Sequence, residues 1–247
     1  MPFTVRCHLA LWQRLATLSV VATVILVRHG RTPANVQGVL AGWTPGVSLD
    51  ETGREQARGA AARLEPVRLS AVVSSPLERT RETASEVLAA QPRPVELHID
   101  ERVGEAHYGD WTGCALKDLS KDPMWKVVQG HASAAVFPGG ESLPAMQARA
   151  VDAVREWNAR LGDKAVYALV SHGDVIKAIL ADALGMHLDH FQRIVIDPAS
   201  VSVVHYTSLR PFVLRVNDMA SDLSSLNRRS SRKRSRDAAV GGGAGEA

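Results

Sequence analysis

Val24-Ile25-Leu26-Val27-Arg28-His29-Gly30 is the stretch on which the fold turns. Four apolar residues in a row, with no polar alternation, describe a short strand covered on both faces, as inside a parallel sheet. The run then stops on a guanidinium, an imidazole and a glycine. The pattern returns twice downstream. Ala71-Val72-Val73 leads into Ser74-Ser75-Pro76, and Val166–Val170 leads into Ser171-His172-Gly173.

Helix-like patterns fill the spaces between. In Leu49–Leu64, residues Ala57, Ala60, Ala61 and Leu64 share one face, and Asp50 is placed to cap the N-terminus. A second helix is expected over 76–90, with Pro76 in its first turn. Val95–Ile99 is a third strand candidate. Residues 100–138 carry Gly, Trp, His and Pro without long periodicity and read as a loop-rich insertion. Pro138-Gly139-Gly140-Glu141-Ser142 opens a helix to about Leu161, and His172-Gly173 opens another to Leu184. Val201–Tyr206 and Phe212–Val216 are close enough to form an antiparallel pair. Strands alternating with helices predict an α/β fold, a mostly parallel central sheet with helices on both faces. Ligands of such sheets bind beyond the carboxyl ends of the strands. That edge would gather Arg28, His29, His172 and the Arg79 of Ser75-Pro76-Leu77-Glu78-Arg79, together with helix N-termini. Such a set suits a dianion, and phosphate above all. A glycine after each histidine lets the backbone come close.

Composition narrows the classes. The 247 residues are 45% hydrophobic and 22% charged, which excludes a disordered, collagen-like or multi-span membrane chain. The net charge of +3 is unevenly spread. Residues 223–247 hold six basic and two acidic residues, or +4, so residues 1–222 stand at −1. The body has no basic footprint for nucleic acid, and only the tail could touch one. Cys7 and Cys114 define neither a disulfide framework nor zinc spacing, which fits a reducing compartment and a cytoplasmic location. From Leu15 to Val27 run thirteen uncharged residues, too few to span a membrane. Their end serves better as the first strand than as a signal-peptide core. The expected division is an extension outside the fold at 1–22, one domain over 23–217, and a disordered basic, Gly-rich tail at 218–247.

The ordered motifs carry a resemblance. Leu26-Val27-Arg28-His29-Gly30-Arg31-Thr32-Pro33-Ala34-Asn35 is similar to the signature of the histidine phosphatase superfamily, in its phosphoglycerate-mutase-like branch. The likeness continues through Leu49–Ala57, Ser74–Arg79 with Thr83-Ala84, Glu105-Ala106-His107-Tyr108-Gly109, Gly139–Ser142 and Ser171–Gly173. Actinobacterial phosphomutase-like proteins look nearest. The resemblance implies that His29 attacks phosphorus and carries it as a phosphohistidine. Arg28, Arg79 and His172 would hold the phosphoryl oxygens, with Asn35 helping. Glu105, in a Glu-x-x-Tyr-Gly pattern, would serve as general acid and base, in preference to Glu82 or Glu101. Gly42, Tyr108 and Gly173 join the expected substrate contacts. No metal or cofactor is implied.

The family holds hydrolases and mutases. Residues 106–140 offer Lys117, Lys121 and Lys126 but no arginine, and Ala41 stands where the family has a small hydroxyl. Fewer anion holders fit hydrolysis of a small phosphomonoester better than mutase action, unless Lys117 and Lys126 converge on the pocket. Trp111, Trp125, Tyr108 and Phe137 could supply apolar pocket wall or core. The expected partner is a small phosphorylated metabolite, with no membrane. The oligomeric state is left open, a dimer being compatible.

Overall fold

The structure, a computed structural model, describes residues 21–220 and Gly241. Apart from those few positions, the extension and the tail expected at either end lie outside the described residues. In chain order the elements are β1 (Ala22–Arg28), α1 (Pro33–Gln37), α2 (Glu51–Leu64), β2 (Val72–Ser74), α3 (Glu78–Ala89) and β3 (Leu97–Ile99). Then come α4 (Leu116–Leu119), α5 (Pro123–Gly130), α6 (Leu143–Leu161), β4 (Ala165–Ser171), α7 (Gly173–Ala183), β5 (Val201–Tyr206) and β6 (Pro211–Asp218).

The six strands form one sheet in the order β3-β2-β4-β1-β5-β6. β1, β2, β3 and β4 are parallel, while β5 runs antiparallel to β1 and to β6. Register places Arg28 beside Ser171 and Ser74 beside Val170. The chain therefore leaves β1, β2 and β4 at one edge, with His29, Ser75 and His172 as neighbours.

Both faces of the sheet are covered, which is why the strands could be read as unbroken apolar runs. Val24 and Leu26 of β1 pack with Tyr167 and Leu169 of β4 against α6, α7 and the insertion. Ile25 and Val27 turn the other way with Ala168 and Val170, onto Ala60, Ala61 and Leu64 of α2 and Ala84 and Val87 of α3. Each large aliphatic side chain so covered contributes about 1.5–3 kcal/mol. Trp111, Phe137, Tyr108 and Trp125 pack with one another in the first of these cores, Trp125 at its margin.

Several boundaries differ from expectation for local reasons. α3 starts at Glu78, not Pro76. Leu77 is still extended, with ψ 144°, and serves as the N-cap. β3 keeps three residues of the expected five, Leu97–Ile99, as an exposed edge. The sequence pattern did not suggest α1, although Thr32-Pro33-Ala34-Asn35 builds a capping box with Pro at the first position. The insertion is loop-rich, as expected, with short helical turns.

One close approach locks the turn after β1 to α2. A Cβ on Gly53 would fall inside the Arg31 carbonyl, and one on Gly30 inside the Gly53 carbonyl. Gly53 also donates to its cap, Asp50 Oδ1, at 2.7 Å, and Asp50 Oδ2 accepts from Arg31 Nε at 2.8 Å. In an ordinary helix, Gly→Ala stabilises by about 0.5–1 kcal/mol. Gly59→Ala, in open space on the same helix, should follow that rule. Gly53→Ala should reverse it, losing about 1–3 kcal/mol. Urea unfolding of the two variants checks the opposite signs.

Candidate active site

β1 delivers Arg28 and His29 to the sheet edge, both buried. Arg28 Nη1 donates to the Ile196 carbonyl at 2.8 Å, in the loop before β5. The His29 amide donates to Ser171 O at 3.0 Å, and its carbonyl accepts from Ala199 N at 3.1 Å. Its Nδ1 lies 2.7 Å from the Gly30 carbonyl, an acceptor only, so Nδ1 carries the proton and Nε2 keeps its lone pair. Burial first, then Arg79 and Arg28, push this imidazole well below the ordinary histidine value; the Gly30 bond opposes them weakly. His29 is therefore neutral at pH 7. Burial also brings Arg28 down to about 10, which leaves it a cation.

β2 and β4 bring Ser75 and His172 together, with His172 Nε2 2.8 Å from Ser75 Oγ. That oxygen also accepts from Leu77 N at 3.4 Å. We assign the serine proton to the bond with Nε2, which leaves Nδ1 of His172 as a donor. The rings of His29 and His172 are 5.3 Å apart. Burial first, then Arg79, keep His172 neutral as well, so its 3.9 Å approach to Glu105 Oε2 is not an ion pair. Arg79, in the first turn of α3, donates from Nη2 to Gly42 O at 2.9 Å. Gly42 has φ +51°, and a Cβ there would crowd Tyr108 and Thr112. Arg79 Nη1 and His172 Nδ1 are buried without a hydrogen-bond partner. Such a group costs about 1–3 kcal/mol unless something accepts from it. Two adjacent donors of this kind beside a second guanidinium call for an anion.

Glu105 faces them from the insertion. It is buried, and Oε1 accepts from Ala106 N at 3.0 Å. Burial first, then Asp174, raise its carboxyl to about 7, against the opposing pull of Arg79 and Arg28. Its backbone is clamped from α6. Arg149 donates to the carbonyls of Arg102, Gly104 and Glu105 at 2.6–2.9 Å and forks onto Glu141 at 2.6 and 3.0 Å. Glu141 in turn accepts from His107 N at 2.8 Å. Trp43 Nε1 adds a bond to Glu105 O at 2.7 Å and stacks on His107.

The cavity between these groups is lined by His29, Asn35, Gly42, Arg79 and Glu105, with Thr32, Leu40, Ala41, Leu116 and Gly241. Asn35 Oδ1 is committed to the N–H and hydroxyl of Thr32, so only its Nδ2 end can serve an anion. Arg28, His172 and Gly173 lie buried beside the cavity. Tyr108, expected to touch substrate, is buried beneath it and donates to Asp174 at 3.1 Å. Lys117, Lys121 and Lys126 are exposed, and none lines the cavity. Glu82 instead accepts from Leu49 N, and Glu101 is exposed. Arg149, Trp43, Ser75 and Asp174 were missed as supporting residues. All four act through carbonyls or other side chains, which leave no mark in residue type. Among the described residues, no helix is long and apolar enough to cross a membrane, and no cluster of three or more His, Cys, Asp and Glu gathers for a metal.

A mixed α/β sheet whose parallel strand ends collect two neutral histidines and two buried guanidiniums is the build of an enzyme that handles phosphoryl groups. The chain belongs to the histidine phosphatase superfamily, whose branch 1 model matches residues 24–219. It is 32% identical over 199 residues to phosphoserine phosphatase 1 of Hydrogenobacter thermophilus, covering 78% of this chain and 91% of that protein. It is also 32% identical over 179 residues to glucosyl-3-phosphoglycerate phosphatase of Mycolicibacterium vanbaalenii, covering 69% and 78%. Mutases occur among the relatives too; one from Gloeobacter violaceus is 30% identical over 178 residues, covering 68% and 76%. The solved structure of Bacillus stearothermophilus YhfR superposes with a TM-score of 0.74 at 30% identity, over 80% of this chain and 97% of that one.

The unpartnered donors should make the folded protein bind inorganic phosphate. At a hundredfold excess over the dissociation constant, phosphate should add about 2.7 kcal/mol of stability. Arg79→Lys should lose most of that gain, since an ammonium cannot replace the fork. Thermal melts of both proteins in phosphate and in chloride of matched ionic strength check this.

Proposed function

We propose that the chain hydrolyses a small phosphomonoester through a phosphohistidine on His29, without a metal. The observation that carries this is the fixed tautomer of His29, its bare Nε2 set beside the unpartnered donors of Arg79 and His172. Nε2 attacks phosphorus while the bond from phosphorus to the ester oxygen breaks. Glu105, raised to about 7 so that part of it keeps a proton near neutrality, gives that proton to the departing alkoxide. Arg28, Arg79, His172 and the Asn35 amide hold the three remaining oxygens, where charge stabilisation is the main help that phosphoryl transfer needs. Water then attacks phosphorus, Glu105 takes its proton, the P–N bond breaks and phosphate leaves.

Hydrolysis is favoured over mutase action because the described cavity carries few cations to retain a bisphosphate. Leu40, Ala41 and Leu116 line it, and the three lysines of the insertion stand apart on the surface. The phosphatase names of relatives, with phosphoserine and glucosyl-3-phosphoglycerate as their substrates, support a small phosphorylated metabolite as partner. A cytoplasmic site of action goes with this reading.

His29→Ala should abolish phosphoenzyme formation, and rapid quenching of the wild type should trap acid-labile phosphate on His29. The Glu105 carboxyl must be protonated to act as an acid. With its value raised to about 7, phosphoenzyme formation from an alkyl phosphate should be fastest below pH 7 and fall as pH rises through it. Glu105→Gln should remove that limb and slow the alkyl substrate by ~10²–10⁴. p-Nitrophenyl phosphate, whose leaving group needs no proton, should lose much less. Phosphate on serine, or a flat pH profile in the wild type, would overturn the assignment.

A further inference from the structure

Asp174, the second residue of α7, enters the mechanism above only through its charge, which helps to raise the Glu105 carboxyl, and it lies one side chain from that group. It is fully buried. Oδ1 faces Lys177 Nζ at 3.3 Å, and this buried lysine also donates to Gln192 Oε1 at 2.9 Å. Oδ2 accepts from the Tyr108 hydroxyl at 3.1 Å, a group that also reaches Glu105. A second donor completes it: the backbone N–H of Gly241, at 2.8 Å. Gly241 comes from the far end of the chain and lines the cavity beside His29 and Glu105, whereas Asp174 itself does not. A Cβ on Gly241 would crowd Leu40, another lining residue, and approach the Tyr108 hydroxyl to 3.4 Å. The amide of Gly241 therefore sits between the cavity and the Asp174 carboxylate, in a place where a small donor fits.

We propose that Asp174 is a specificity-determining residue whose Oδ2 accepts a hydrogen bond from a neutral hydroxyl on the substrate's leaving group, at the place the Gly241 N–H now fills. The substrate class is then a phosphorylated polyol or sugar. This rests on the hydrolase reading and narrows it. Three features select a neutral donor. Lys177 already balances the charge of Asp174, so an ammonium on the substrate is not required. The two donors that Oδ2 accepts from, apart from its lysine neighbour, are both uncharged. A carboxylate or second phosphate at this place would meet Asp174 at close range, which costs binding. A substrate chain that displaces the Gly241 N–H without offering a hydroxyl leaves Oδ2 with Tyr108 as its remaining donor, whereas a hydroxyl restores the lost bond, and that difference discriminates between the two.

The test measures phosphate release by the full-length chain from glycerol 1-phosphate, propyl phosphate, phosphoethanolamine and 3-phosphoglycerate, with p-nitrophenyl phosphate as a general substrate. In the wild type, kcat/KM for glycerol 1-phosphate should exceed that for propyl phosphate by tenfold or more, and should also exceed that for phosphoethanolamine. In Asp174→Asn the hydroxyl preference should shrink at least threefold, while 3-phosphoglycerate should gain relative to propyl phosphate as the negative charge is removed. Equal use of the first two substrates by the wild type, or preference for phosphoethanolamine, overturns the proposed substrate class. An undiminished preference in a folded Asp174→Asn protein overturns the role of Asp174. Should that variant not fold, the wild-type comparison of glycerol 1-phosphate with propyl phosphate decides alone. Failure of the wild type to release phosphate from any of the five, p-nitrophenyl phosphate included, overturns the hydrolase reading itself.

Discussion

Two guanidinium groups buried at the end of a parallel sheet are the constraint around which this molecule is arranged. Arg28 and Arg79 are both almost wholly out of water, and an isolated charge there would be prohibitive. Each is held by a backbone carbonyl, of Ile196 and Gly42 respectively, and carbonyl dipoles offset only part of the burial. Asp197 and Asp174 supply nearby negative charge that raises Arg28 against desolvation, and Glu105 adds more whenever its carboxyl is ionised. The cost is shared with the histidines, which burial first and then the same cations keep neutral. The cationic cradle, the neutral His29 imidazole and the raised Glu105 carboxyl are thus consequences of one electrostatic balance. An entering dianion completes that balance.

The insertion meets the sheet through a second device. Glu105 sits on a segment of irregular backbone, which by itself would place a carboxyl loosely. Arg149 removes that freedom by binding three successive parts of the segment while its charge is matched by Glu141. Ser171, the last residue of β4, adds a bond from its hydroxyl to the Val103 carbonyl at 2.7 Å. A loop carboxyl is thereby given the positional precision of a residue on a helix, as the acid–base role proposed for it requires.

What could be read from sequence follows from these two devices. Arg28, His29, Arg79 and His172 stand at or just past the ends of unbroken apolar runs, so periodicity alone brings them to one edge. The face assignments of Ala57, Ala60, Ala61 and Leu64 follow from helical spacing for the same reason. Glu105 has no such frame, and only its resemblance to a family pattern separated it from Glu82 and Glu101. Arg149 and Trp43 act on carbonyls, which leave no mark in residue type. Asp174 looks like an ordinary acidic residue in a helix's first turn, and its contact with Gly241 joins parts of the chain that no local pattern connects. Tyr108 shows the converse: its place in the motif suggested substrate contact, yet its side chain is spent on Asp174 and the core.

The strand order has a kinetic side. β1 lies between β4 and β5, so the first strand made is paired with two of the later ones, and Arg28 stands in register with Ser171. Neither half of the chain contains the whole cradle: the segment through β3 holds Arg28, His29 and Arg79 without His172, and the segment from α6 onward holds His172 without them. Pairings this distant in sequence close late in folding, after the loop entropy between them has been overcome. Return of catalysis after dilution from denaturant would therefore lag behind the return of helical signal, and the enzyme's own turnover would serve as a clock for the docking of β4 against β1.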